Sequence, residues 1–189
     1  MTKRLLVPFC LVLFFLPRPV RSDPSVLWGI IDIENQTTGE IACGFVPLYI
    51  FARPDLSVGD GAGFLAVEFG VDLSQVLDAG AVYFYEESHG TVTNGSVEPG
   101  PGVQVGYGTC RTTDTHVYSV YIFWREEPSD TPLVSITPST LVSNRLVMGD
   151  CTGYRTPHPV LGGQTIANPI CPLAVQETTW GTVKALYGE

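Results

Sequence analysis

Positive charge is scarce in this chain. Ten Lys and Arg stand against nineteen Asp and Glu, and four of the ten fall at Lys3, Arg4, Arg18 and Arg21. Every acid comes after residue 22. Beyond that point six bases face nineteen acids, a balance of −13, and Lys184 is the single lysine. Such a charge repels polyanions, which argues against nucleic acid and anionic lipid surfaces as partners. Other absences narrow the chemistry. No pair of cysteines has C-x-x-C spacing, which disfavours a zinc knuckle or thioredoxin-like exchange. No G-x-S-x-G occurs, so there is no nucleophile elbow. There is also no heptad, no low-complexity tract and no internal repeat.

One apolar run is present, Leu5 to Leu16, preceded by Lys3-Arg4 and followed by Val20-Arg21-Ser22. It is too short to span a bilayer, which takes about 20 apolar residues. A basic start, a short greasy run and small residues at a cut describe a secretory signal peptide. Residues 1–22 are therefore expected to be removed, with the mature chain starting near Asp23. An exported chain makes disulfides the expected state of its cysteines. Cys10 leaves with the leader, and Cys43, Cys110, Cys151 and Cys171 remain, enough for two bridges in three possible connectivities. Cys151 and Cys171 are close and flank a turn-rich stretch. That proximity predicts Cys151–Cys171, leaving Cys43 with Cys110.

About 165 mature residues suit one domain with its own core. Short β-like runs recur between turn signals: Gly29–Glu34, Leu48–Ala52, Gly63–Leu73, Val82–Glu86, Val103–Thr109, His116–Arg125, Leu133–Ile136, Arg145–Met148 and Gln164–Ala167. In the third, Leu65, Val67, Phe69 and Val71 alternate with Ala66, Glu68, Gly70 and Asp72. Period-2 alternation predicts the first set buried, and Glu68 and Asp72 in water. The run His116–Arg125 is apolar or aromatic at both parities, the pattern of a central strand. Ser74–Leu77 reads as one helical turn. Many strands without helical periods between them predict an all-β fold, an antiparallel β-sandwich over residues 23–172. The tail, 173–189, differs. Trp180, Val183 and Tyr187 recur at helical spacing and predict a short amphipathic helix that either docks on the sandwich or is read by a partner.

The closing Thr179-Trp180-Gly181-Thr182-Val183-Lys184-Ala185-Leu186-Tyr187 resembles the TWGxVKALY ending of a family of exported bacterial proteins without established activity. Gly29-Ile30-Ile31-Asp32, Leu48-Tyr49-Ile50-Phe51-Ala52, Ala66-Val67-Glu68-Phe69-Gly70-Val71 and Gly162-Gly163-Gln164 to Asn168 are similar to that family's strands. The resemblance implies a cohesin-like or immunoglobulin-like sandwich in an extracytoplasmic bacterial setting. It brings no catalytic residues.

Candidate chemistry is thin. His89, His116 and His158 share no ligand spacing; His89 and His158 read as exposed loop residues, and His116 begins a strand. Glu86-Glu87 and Glu126-Glu127 sit at strand ends, where a pair of acids across a cleft would suit glycoside hydrolysis. Asp55 to Gly61 offers two aspartates in a Gly-rich turn, short of a calcium loop. Asn35-Gln36-Thr37 and Asn94-Gly95-Ser96 match glycosylation acceptors. Tyr83 and Tyr85 share a strand parity and could form an aromatic row that stacks on sugars. The sequence thus points to an exported, non-catalytic structural or binding module with no metal or other cofactor. Its partner would be a protein or a glycan. A carbohydrate-binding module and a small hydrolase on strand-end carboxylates are the alternatives.

Overall fold

The computed structural model describes residues 26–35, 44–59, 62–98, 100–125, 128, 131–141, 144–152 and 156–167. The leader with Asp23, Cys43, Cys171, Glu126-Glu127 and the tail with Trp180, Val183 and Tyr187 lie outside the described residues.

The described chain is a β-sandwich. Its strands are β1 (Gly29–Asn35), β2 (Phe45–Pro54), β3 (Phe64–Asp72), β4 (Ala81–Ser88), β5 (Val92–Ser96), β6 (Gly102–Arg111), β7 (Thr115–Trp124), β8 (Leu133–Thr137), β9 (Val147–Gly149), β10 (Pro157–Pro159), β11 (Leu161–Gly162) and β12 (Gln164–Ile166). One sheet runs β11-β1-β2-β7-β4. The other runs β10-β9-β3-β6-β5, with β8 and β12 attached alongside β3. Pairing is antiparallel except between β1 and β11. A single turn of helix, α1 (Ser74–Asp78), follows β3; its first amide, Ser74 N–H, is held by Asp72 Oδ1 at 2.9 Å.

Between the sheets lies the core. Ile31 and Ile33 of β1, Val46, Leu48, Ile50 and Ala52 of β2, and Val120 and Ile122 of β7 face Val67 and Phe69 of β3 and Val103 and Val105 of β6. Those positions follow the two-residue period of a strand. Trp124 ties two distant stretches together: its backbone N–H donates to Gly44 O at 2.6 Å and its indole Nε1–H to Ala167 O at 2.8 Å. Gly44 holds φ +95°, and a Cβ there would strike the Trp124 carbonyl, so the position is closed to other residues.

Three expectations change. The disulfide joins Cys110, at the end of β6, to Cys151, just after β9, with Cα atoms 5.4 Å apart. Sequence proximity favoured Cys151–Cys171, but β9 runs beside β3, whose other neighbour is β6, and this brings residue 110 to residue 151. Sheet topology outweighs short loops. Glu68 is 7% exposed rather than wet, because β6 and β9 flank β3 and their side chains close over its outward face. Asp72, past that cover, is exposed as expected. Finally, His158 is buried within β10, stacked on Trp28 with ring centroids 3.6 Å apart and 3.2 Å from Asp150 Oδ2.

With Cys110 and Cys151 joined, a second bridge can use only Cys43 and Cys171 of the mature cysteines. A non-reducing peptide map of mature protein is expected to yield Cys110–Cys151 and Cys43–Cys171 peptides. Removing the first bridge with Cys110→Ala and Cys151→Ala should lower unfolding free energy in urea by about 2–4 kcal/mol, since its loop spans 41 residues.

Candidate functional site

The outward face of the β11-β1-β2-β7-β4 sheet is aromatic where a sandwich of this size needs only polar cover. Cross-strand rows show how. Phe45 of β2 stands opposite Phe123 of β7, which stands opposite Val82 of β4. In the next row Pro47, Tyr121 and Tyr85 align, then Tyr49, Ser119 and Glu87, and then Phe51 beside His116. Phe45 meets Phe84 edge-on at 5.1 Å and Phe123 at 5.4 Å. Tyr85 and Tyr121 stack face to face at 4.1 Å. His116 lies 4.8 Å from Tyr49, 5.0 Å from Phe51 and 4.0 Å from His89.

The row expected from Tyr83 and Tyr85 is broken. A bulge in β4 between these residues pairs Tyr83 with Ile122 and Tyr85 with Tyr121, which puts the two tyrosines on opposite faces. Tyr83 turns inward toward Glu86, and burial raises its pKa well above the usual tyrosine range. Tyr85 stays outward and 42% exposed, and the bulged Phe84 protrudes, 58% exposed. Parity counting across a strand cannot see a bulge. Phe84 was missed for that reason, although the aromatic run around it was plain.

At one end of this face, two histidines cover a serine. Ser119 Oγ is 2.8 Å from His89 Nε2 and 3.0 Å from His116 Nε2. His116 Nε2 is also 3.1 Å from the Tyr118 carbonyl, which can only accept, so that nitrogen carries a proton. The Ser119–His89 contact runs in either direction, according to which His89 nitrogen carries the proton. The pair resembles a nucleophile and base, yet Ser119 is wholly buried and no substrate reaches its oxygen. Its role is to satisfy the rings above it. Burial, then the neighbouring His89, lowers the His116 pKa.

Among the described residues, Glu86 and Glu87 do not form a pair across a cleft. Glu86 faces inward and accepts the Val97 amide at 2.9 Å, whereas Glu87 faces outward on the opposite side of β4. Asp55 accepts Ser57 N–H at 2.9 Å and Ser57 Oγ–H at 2.6 Å, an ordinary cap for the short turn Leu56–Val58. Among the described residues, no three His, Cys, Asp or Glu gather as a metal site would require. Arg53 gathers acids of its own: Asp32 at 2.6 Å, Glu34, and Asp114 at 3.2 Å through Nε, the last without hydrogen-bond geometry.

No protein-family profile matches the chain, and no curated protein sequence does. Among solved structures it is similar to a cohesin module of a Clostridium perfringens family 33 glycoside hydrolase, at 14% identity and TM-score 0.42, covering 73% of this chain and 95% of that one. It is also similar to the sixth cohesin of Acetivibrio cellulolyticus scaffoldin B, solved with a Cel5 dockerin, at 14% identity and TM-score 0.41, covering 71% and 96%. Among the described residues no helix is long and apolar enough to cross a membrane.

A half-buried histidine whose pKa is lowered carries a pH signature. Because His116 titrates below its usual 6.5, the unfolded chain binds a proton more readily than the folded one. Stability is therefore complete above pH 6.5 and falls as pH drops from there toward the lowered folded value. Thermal unfolding between pH 7.5 and 5 should show this decline, and His116→Phe should flatten it.

Proposed function

We propose that this chain is an exported, non-catalytic module that binds a protein partner through the outer face of β4. One observation carries the reading: Val82, Phe84 and Tyr85 stand 37%, 58% and 42% exposed, side by side, on a strand that ends its sheet among the described residues. Adjacent exposed apolar side chains on an edge strand invite aggregation unless something covers them. The strand is also guarded against simple pairing with another strand, since the bulge at Phe84 and the charge of Glu87 interrupt its edge. Recognition therefore works through side chains. Phe84 is the anchor, backed by Phe45, with Tyr85 braced by Tyr121 beside it. Rigid aromatic groups of this kind dominate protein interfaces.

The arrangement fits a glycan less well. Sugar rings stack on free aromatic faces, and here Tyr85 and Tyr121 occupy each other's. Export rests on the leader in the sequence and accords with the Cys110–Cys151 bridge.

The mature protein should be screened against the surface and secreted proteins of the producing cell, and in parallel on a glycan array. A single protein ligand is expected. Phe84→Ser should weaken it by about tenfold or more while leaving the melting temperature unchanged, because the side chain is exposed. A glycan hit abolished by the same substitution would reassign the face to carbohydrate. Unaltered protein binding by the variant would place the interface elsewhere.

A further inference from the structure

The opposite sheet carries a cleft of about 390 Å³ on its outward face, bounded by β5, β6, β3 and β9. Two cross-strand rows build it. The first, Val92, Gly106, Ala66 and Gly149, is made of small residues between a valine and Pro157, and forms the hollow. The second, Asn94, Gln104, Glu68 and Val147, forms one wall.

Glu68 is the unusual member of this wall. It is 93% buried by residue surface, being 7% exposed, and Gln104 Nε2–H donates to its Oε2 at 2.9 Å. Its other oxygen, Oε1, is buried and has no hydrogen-bond partner. A buried carboxyl oxygen left unpaired costs on the order of 1–3 kcal/mol, more when charged, so such atoms are seldom left without a use. Pairing two carbonyl-type acceptors with one amide donor leaves room for one further donor. The rest of the lining is chiefly apolar, and a cleft of this volume lies within the range of small-ligand sites.

We propose that this cleft binds a primary alkylammonium group, with the ammonium at the Glu68 carboxyl group and its methylene stem along Ala66, Val92 and Val147. An ammonium supplies both the missing donor and the opposite charge, and a short unbranched stem suits a hollow floored by Gly106 and Gly149. The same chemistry comes from a free amine or from a lysine side chain of another protein. Arg145 stands exposed at the rim and makes no ion pair within 4.0 Å among the described residues. It opposes a cation in the cleft, and its exposure lets solvent screen part of that repulsion.

The test titrates the mature protein with butylamine, with Nα-acetyl-lysine amide and with its Nε-acetylated form, following backbone amide shifts by NMR. The two amines should shift Ala66, Glu68 and Gly106, and the Nε-acetylated compound should not. Glu68→Gln, which keeps shape and the Gln104 contact, should weaken binding about tenfold or more. Gly106→Val should abolish it by filling the hollow, since a Cβ at residue 106 meets nothing closer than 3.7 Å and folding should survive. Arg145→Ala should tighten it. Butylamine binding without the lysine amide points to a free amine; the reverse points to a protein lysine. The proposal is overturned if neither amine shifts these residues at millimolar concentration, or if Glu68→Gln binds as well as the parent. These readouts do not involve Phe84, so they stand or fall apart from the β4 interface.

Discussion

Between β2 and β4, strand β7 sends Tyr118, Val120, Ile122 and Trp124 toward the opposite sheet and His116, Ser119, Tyr121 and Phe123 away from it. The inward set meets a complete apolar layer. Among the described residues the outward set has no second layer, and its rings pack on one another and on those of β2. This division of a single strand decides where the core lies and where aromatic surface is left over. It also explains a buried serine in an unexpected place, because Ser119 on the outward side is roofed by two imidazoles.

Two irregularities then shape that surface. A register shift between Ile50 and Phe51 aligns Phe51 with His116, and one between Tyr83 and Tyr85 pushes Phe84 out. Each extra residue re-aims every side chain after it, because the period of a strand is two. Without the second bulge Tyr83 and Tyr85 would share a face, and Phe84 would sit on the other. The exposed anchor on β4 is thus a product of the bulge rather than of composition alone.

The two outward faces differ in character. One is a raised aromatic surface with acids at its margin, of which Asp32 and Glu34 are drawn to Arg53. The other is a hollow, and its depth comes from glycine and alanine at facing positions of three strands. A single carboxyl group within that hollow is the kind of buried polar atom that a fold retains for a reason other than stability.

Local pattern made much of this legible. The all-β class, most strand positions, the helical turn at Ser74 and the burial of Val67 and Phe69 follow from alternation and turn chemistry, which act over a few residues. β5 is absent from the strands that the sequence predicts because Thr93-Asn94-Gly95 carries turn residues, and only its pairing with β6 makes it a strand. The partner of Cys151, the burial of Glu68 and of His158, and the opposed directions of Tyr83 and Tyr85 were not legible. Each depends on which strands become neighbours or on where a ladder slips. Those are settled by contacts between residues far apart in the chain, and a two-residue period read along one strand carries no record of them.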